Sequence, residues 1–263
     1  MSEKEKLPPL ERYIRILELL SAFPDGLSLT DVSAMADLPK GTVHRLLRTM
    51  QELELVTPTH AGASVYAAGR RLRRLAIMSA ETEWVEAVVG PYLRELTADT
   101  GETSYITKME GDTVRSIAME APDTPWRGFV IPGRSMHPHA AASAKAILAF
   151  QDVATIERAL SGTLEKLTSK TNTSKAKVKE EYEQIRQTGF ATCVGEIDEG
   201  LAAVAVPVFL RGSEVVFSLG ITGPLNRILA HDMQALSTLM QKYATRIANG
   251  LSMGLARRVS HPG

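Results

Sequence analysis

The run Leu38-Pro39-Lys40-Gly41-Thr42-Val43-His44-Arg45-Leu46-Leu47-Arg48-Thr49-Met50 carries two faces at one helical spacing. Val43, Leu46, Leu47 and Met50 fall at i, i+3, i+4 and i+7, the period of a buried stripe. Gly41, His44, Arg45 and Arg48 occupy the opposite stripe at the same spacing, and no acid interrupts them. A helix that is small at its start and then hydrogen-bonding and cationic suits the major groove. The small residue permits close approach, while Arg and His reach base edges and phosphates. Lys40 and Thr42 flank the N-terminal end, where free backbone N–H groups and the helix dipole favour phosphate. The same pattern also describes an exposed basic helix with no ligand, so the flanking sequence has to discriminate.

Upstream, Leu10, Tyr13, Ile14, Leu17 and Leu20 recur at three- and four-residue steps and predict an amphipathic helix. Ile16, Leu19 and Phe23 add a second apolar stripe, which is either deeper core or a dimer face. Pro24-Asp25-Gly26 supplies turn chemistry. Ser28 with Asp31 three residues on predicts a capping box that opens a second helix, buried through Val32, Met35 and Ala36. Asp37-Leu38-Pro39 is a tight break before the third helix. Downstream, Thr57 to Tyr66 holds two short β-prone runs around a Gly-containing turn, the pattern of a hairpin, with His60 near its tip. Three helices and a hairpin make a winged helix-turn-helix. Arg70, Arg71, Arg73 and Arg74 then open a linker helix, placed either against phosphates beside the wing or against acids at a subunit contact.

Composition sets the frame around this module. The chain has 263 residues, 44% hydrophobic and 23% charged, which is ordinary for a globular protein and suggests about two domains. Thirty basic residues balance thirty acidic ones. Between Leu38 and Ala80, however, seven Lys/Arg face only Glu52 and Glu54, a local charge of +5. One basic segment in a neutral chain points to a polyanion-binding module attached to something else. No apolar run is long enough for a membrane span, the charged N-terminus is unlike a signal peptide, and a lone cysteine, Cys193, suits a reducing cytoplasm.

The remaining two-thirds reads as α+β. Glu83 to Thr100 predicts a helix, and Thr103–Met109 and Thr113–Met119 predict a hairpin around Glu110-Gly111-Asp112. Trp126 to Ile131 predicts a third strand, Ala140 to Phe150 and Thr173 to Gln187 two helices. Leu201 to Leu210 and Val215 to Thr222 predict strands around Arg211-Gly212-Ser213, and Leu236, Leu239, Met240, Tyr243 and Ile247 a final helix. This order suggests one antiparallel sheet with helices packed on it.

Three segments now carry a resemblance. Leu38 to Leu47 resembles the recognition helix of the IclR family of bacterial transcriptional regulators, with Gly41 where that family usually has Ser. His137-Pro-His-Ala-Ala-Ala-Ser-Ala-Lys-Ala-Ile-Leu148 is similar to the family's segment beneath its effector pocket, with Ala144 in place of a frequent Gly. Gly195-Glu-Ile-Asp-Glu-Gly-Leu-Ala-Ala-Val-Ala-Val-Pro-Val208 resembles its acidic loop and strand. The resemblance implies a winged helix-turn-helix over residues 1–69, a linker helix over 70–83 and a GAF-like antiparallel-sheet domain for effector binding and oligomerisation over 84–263. It implies a regulator of a catabolic operon that binds double-stranded operator DNA as a homodimer, with dimers pairing into tetramers. Its effector is a small organic or aromatic acid. Transferred by motif, the pocket positions are Ala142, Ser143, Glu196 or Asp198, Ala203, Gly220 and Thr222.

The residues themselves support such a site. Ser143 and backbone N–H groups at a helix start favour a carboxylate, while Trp126 and Phe129 offer apolar walls. Arg127 or Arg134 is a candidate charge partner. On the DNA side, His44 and Arg45 are the candidates for base edges, Lys40, Thr42 and Arg48 for phosphates, and His60, Arg70 and Arg71 for the flanks. Rival chemistry has less to build on. Cys193 with His137 or His139, or the carboxylates Glu196, Asp198 and Glu199, could serve an enzyme only with a geometry that spacing does not supply. His137 and His139 provide two metal ligands where a site needs more. The expectation is a regulator with no catalytic residues, metal or cofactor and no membrane partner. A small-molecule sensor without sequence-specific DNA binding is the alternative.

Overall fold

Helix α1 (Pro9–Ala22) starts on Pro9, whose missing N–H falls among the helix-start donors that have no intrahelical partner anyway. The computed structural model describes residues 8–23, 25–59, 65–78, 82–210 and 215–260. They divide into two compact units, one containing residues 8–78 and the other residues 82–251. In the first, Ile16 and Leu20 of α1 are fully buried, whereas Leu10, Ile14 and Phe23 stand exposed. The buried stripe therefore takes one member from each of the two apolar rows that the sequence offered.

Strand β1 (Leu27–Ser28) leads into α2 (Leu29–Ala36) through the anticipated capping box. Asp31 N donates to Ser28 Oγ at 3.2 Å and Ser28 N donates to Asp31 Oδ2 at 3.2 Å. These bonds from Ser28 hold the Asp31 carboxyl below its usual range. Asp37, left-handed at φ 52°, ends the helix, and Leu38 and Pro39 complete a tight turn. Helix α3 (Lys40–Glu52) then buries Val43, Leu46, Leu47 and Met50 as its spacing requires. Full burial of each such side chain contributes about 1.5–3 kcal/mol. Strands β2 (Val56–Pro58) and β3 (Val65–Ala68) form the wing, with Val56 opposite Ala68, and β1 pairs on the other side of β3. His60 and the turn around Gly62 lie outside the described residues, as does Pro24. The helix after the wing, α4 (Arg70–Met78), is followed by α5 (Thr82–Thr100), with residues 79–81 outside the described ones.

The second unit is built on β4 (Thr103–Glu110), β5 (Thr113–Glu120), β6 (Ser135–Met136), β7 (Ala191–Val194), β8 (Leu201–Val208) and β9 (Phe217–Pro224). They form one antiparallel sheet in the order β6-β5-β4-β9-β8-β7. The remaining helices are α6 (Ala142–Leu148), α7 (Val153–Ala159), α8 (Lys175–Thr188), α9 (Leu225–Leu229) and α10 (Met233–Ser260). Consecutive residues on β4 show that both sheet faces are covered. Ser104 donates to Leu93 O of α5 at 2.9 Å, while the next side chain, Tyr105, reaches Ser143 of α6 on the other face. Nearly every residue of β4, β8 and β9 is consequently buried, and no polar–apolar alternation survives to mark them.

One expectation changes. Trp126 to Ile131 is not a strand. Pro125 and Pro132 bracket it, and Gly128 passes so close to β9 that a Cβ there would lie 2.8 Å from Thr222 Cγ2. The short β6 takes that edge of the sheet instead, opposite Val114 and Arg115. Strand β7 and helices α7 and α9 carry too little periodic signal of their own to be read beforehand. The loop at Arg211-Gly212-Ser213 is outside the described residues.

Candidate functional site

Two places concentrate polar groups that the fold itself does not use. The first is the outward stripe of α3. Lys40, His44 and Arg45 are exposed, and among the described residues none of their side chains meets a partner. Arg48 is exposed but shares its charge with Glu52 one turn on, at 3.4 Å. Thr42 is half-buried at the helix start. Further along, Arg70 is held by both oxygens of Glu54, at 2.9 and 2.8 Å, and is thus already neutralised within its own unit. Arg73 donates to Ala68 O at 2.6 Å. Arg71 remains outward and exposed. Pairing within the unit, which is neither of the two roles read from the sequence, takes Arg70 and Arg73.

The second place is a cavity of about 330 Å³ inside the sheet unit, within the roughly 300–1,000 Å³ range of small-molecule sites. Phe129, Ala142, Asp198, Ala203 and Thr222 line it, as do Tyr105, Arg134, His137, Cys193 and several aliphatic side chains. Ala142 and Ala203 keep its walls thin, and the segment Phe129–Ile131 runs along one side. That segment is fixed at both ends, since Thr103 donates to Gly128 O at 2.7 Å and Ser116 N to Arg134 O at 3.0 Å.

Five sequence-predicted positions, Gly220 among them, do not line this cavity. Trp126 is 80% exposed and does not line the cavity. Arg127, on the same loop, donates to Pro122 O at 2.9 Å. Ser143 is fully buried off the cavity wall, where its hydroxyl faces that of Tyr105. Glu196 turns away to receive Lys145 Nζ on both oxygens at 3.0 Å. Lys145, itself fully buried, also donates to Glu181 at 2.7 Å. Burial pushes the Glu196 carboxyl up, with Lys145 opposing that shift.

Gly220 contributes through what it lacks. It sits opposite Tyr105 in the β4–β9 register, and a Cβ there would lie 2.4 Å from Tyr105 Cζ. The hydroxyl end of the tyrosine ring therefore packs directly against the glycine. Burial raises the Tyr105 hydroxyl pKa, so it stays protonated and able to donate. Thr222 Oγ1 donates to Ala202 O at 3.0 Å, which leaves only its lone pairs toward the cavity. Asp198 Oδ1 accepts from Gly200 N at 2.8 Å. Burial, then the neighbouring His139, hold the His137 imidazole below its usual pKa, so it is neutral at pH 7. Burial, then Glu196, raise the Cys193 thiol, which is hence unactivated as a nucleophile. His139 is buried, with Nε2 bonded to Glu165 O at 2.8 Å. Among the described residues no group of three metal-ligating side chains occurs.

Sequence reading missed Tyr105 and Lys145. The only signal for Tyr105 is an aromatic facing a glycine across two strands, legible once their pairing is known. Lys145 gives none, because a lysine in an alanine-rich helix ordinarily faces water.

A winged helix-turn-helix with an unpartnered cationic recognition face, joined in one chain to an α+β unit with a small-molecule-sized cavity, defines a ligand-responsive class of DNA-binding transcriptional regulator. Residues 9–60 match the domain described as the IclR helix-turn-helix domain, and residues 79–249 match the bacterial transcriptional regulator IclR C-terminal domain. The chain belongs to the IclR family of bacterial transcriptional regulators. It is 32% identical over 220 residues to the probable transcriptional regulator SauR of Cupriavidus necator, an alignment covering 82% of this chain and 86% of that one. An IclR-type transcriptional regulator from Alicyclobacillus acidocaldarius superposes with a TM-score of 0.59 at 26% identity, covering 94% of this chain and 99% of that one. An IclR homologue from Microbacterium hydrocarbonoxydans, solved with 4-hydroxybenzoate, shares the fold with a TM-score of 0.60 at 20% identity, covering 93% and 99% of the two chains. The protein is a DNA-binding transcriptional regulator, not an enzyme.

Proposed function

We propose that this regulator binds a small organic or aromatic acid in the cavity and that the acid changes its affinity for a pseudo-palindromic operator. The carrying observation is the cavity itself: mostly apolar walls, with Arg134 as the one cation among the residues lining it. The 4-hydroxybenzoate bound to a homologue of the same fold supports this ligand class. In this reading residues 1–69 read DNA, residues 70–83 connect, and residues 84–263 bind effector and oligomerise. The protein acts in the cytoplasm as a homodimer, with dimers pairing into tetramers. Two recognition helices enter successive major grooves, His44 and Arg45 reach base edges, and Lys40, Thr42, Arg48 and Arg71 approach phosphates. His60 and Arg70 complete the flanks; Arg70 gets there only by leaving Glu54. The effector acts through its differential affinity for two arrangements of the dimer.

The test is fluorescence anisotropy on duplexes tiling the region upstream of the protein's own gene, at several salt concentrations and with or without added acids. Tight binding to one tile with a steep salt slope, shifted by an acid, is the expected result. Binding of one tile that no acid moves would remove the effector half of the proposal.

A further inference from the structure

Apart from α3 and the cavity, a third concentration of charge lies in the sheet unit, from Lys166 to Lys179. These fourteen residues hold five lysines and no acid, the same +5 that Leu38 to Ala80 spreads over a much longer run. Lys179 is neutralised by Glu157 of α7. Lys166, Lys170, Lys175 and Lys177 are exposed, and among the described residues none of their ammonium groups meets a carboxylate. We infer that this segment is a second DNA contact, a sequence-independent docking surface for the phosphate backbone of duplex DNA. It lies on the unit that does not carry the recognition helix, so it adds to the α3 reading and does not depend on it.

A solvated helix ordinarily pairs its lysines with carboxylates one turn away. Here those partners are already engaged. Glu181, one turn after Lys177, holds Lys145 Nζ at 2.7 Å, and Glu199 of the acidic loop accepts from Ser169 Oγ at 3.0 Å. One turn after Lys175 stands Lys179, a like charge that weakens the helix. The turn between Lys166 and Lys170 is fixed by its own hydrogen bonds. Leu167 N and Thr168 N donate to Thr171 Oγ1 at 3.1 and 2.8 Å, and Thr171 Oγ1 donates onward to Glu196 O at 2.6 Å. Four unpaired cations are thus gathered on one short turn and the start of α8, an arrangement that a polyanion relieves.

The residue types name the partner. Lysine is a point charge that suits phosphate oxygens, without the planar fork that reads a base edge. The exposed Thr173 adds a hydroxyl of the kind that contacts DNA backbone. No aromatic side chain occurs from Lys166 to Lys179, so nothing there stacks on unpaired bases, and the double strand is favoured over the single strand. Duplex DNA is also the polyanion that this class of regulator already binds.

The experiment is fluorescence anisotropy of the full-length protein on a duplex of unrelated sequence, about 60 base pairs long, between about 50 and 200 mM salt. The wild type is compared with a variant combining Lys166→Gln, Lys170→Gln, Lys175→Gln and Lys177→Gln, and with the same four positions changed to Arg. A control variant, Arg94→Gln with Lys242→Gln, removes exposed cations from α5 and α10. Each phosphate contact contributes about 0.9 to the slope of log affinity against log salt, so the four-Gln variant should lose about 3 from that slope and bind at least about tenfold more weakly at the lowest salt. The four-Arg variant and the control keep the wild-type slope. The preference for a tile from upstream of the protein's own gene over the unrelated duplex stays the same in the four-Gln variant, because phosphate contacts carry no sequence information. A wild-type slope in the four-Gln variant overturns the proposal and turns the patch toward an acidic protein surface. An equal loss per charge in the control overturns it in favour of overall charge. A wild type that binds its upstream tile but not the unrelated duplex, even at the lowest salt, overturns it while leaving the α3 reading intact.

Discussion

The outward face of α3 and the cavity of the sheet unit are both sites of recognition, yet they are assembled in opposite ways. The α3 face consists of residues from the short run Lys40 to Arg48, all on one rigid helix, with most of its polar groups left free in solvent. The cavity gathers residues from Tyr105 to Thr222, on strands, a loop and a helix start, with nearly every polar group engaged or buried. A face made by one helix is fixed by spacing alone. A cavity made by six segments depends on which strands pair, and a residue can matter through its absence of side chain, as Gly220 does. Exposure makes the first site tolerant of substitution in stability and sensitive in binding, while burial makes the second sensitive in both.

Lys145→Met probes the buried extreme. It leaves Glu181 and Glu196 facing an apolar side chain, and urea unfolding is expected to show a loss of about 3–5 kcal/mol. The deficit depends on pH. Burial already holds the folded-state carboxyl of Glu196 above its ordinary value, so its protonation favours the folded state as pH falls. Removing Lys145 raises that carboxyl further, so the deficit should shrink between about pH 7 and about pH 5. A deficit constant over that window would show that Glu196 does not feel Lys145.

Gly220→Ala places a methyl group 2.4 Å from Tyr105 Cζ, between two paired strands, where neither side yields cheaply. Thermal unfolding should report a loss of about 1–3 kcal/mol. Retained stability would mean that the ring has room to move and that the cavity floor is softer than its packing indicates.

On the other side of the comparison, Arg45→Ala should leave unfolding unchanged and weaken operator binding by about 1–3 kcal/mol in anisotropy titrations. Arg48→Ala is expected to weaken binding less and with little dependence on sequence, because Arg48 already shares its charge with Glu52. Equal effects would dissolve the distinction between a base-reading and a phosphate-positioning cation. The smallest expected change is Gly41→Ala. Nothing lies within 4 Å of a Cβ there, so the helix gains about 0.5 kcal/mol of stability in thermal unfolding. Against Gly220→Ala, this variant asks whether the same substitution changes sign between an open helix face and a packed sheet.

Much of the architecture was legible because local chemistry is decided locally. Ser28 and Asp31 announce a capping box whichever way the chain later turns, and Gly189 closes α8 in the left-handed conformation that glycine adopts readily. The misplaced strand at Trp126–Ile131 shows the limit. Its β-forming residues satisfy a local pattern, but Pro125 and Pro132 flank it and Gly128 is held against Thr222 and by Thr103. The loss of alternation in β4, β8 and β9 has the same origin, since helices on both faces remove the polar side that would have marked them.

The sequence by itself determined the helix-turn-helix, its wing, the cationic stripe of α3 and the α+β order of the larger unit, because helix period, caps and turns act over a few residues. Only the tertiary structure decided that Trp126 faces solvent, that Glu196 belongs to Lys145, and that Tyr105 lies on Gly220 beside the Ser143 hydroxyl. Those facts depend on which distant segments share a wall, and that is settled by packing and by the pairing of buried charge.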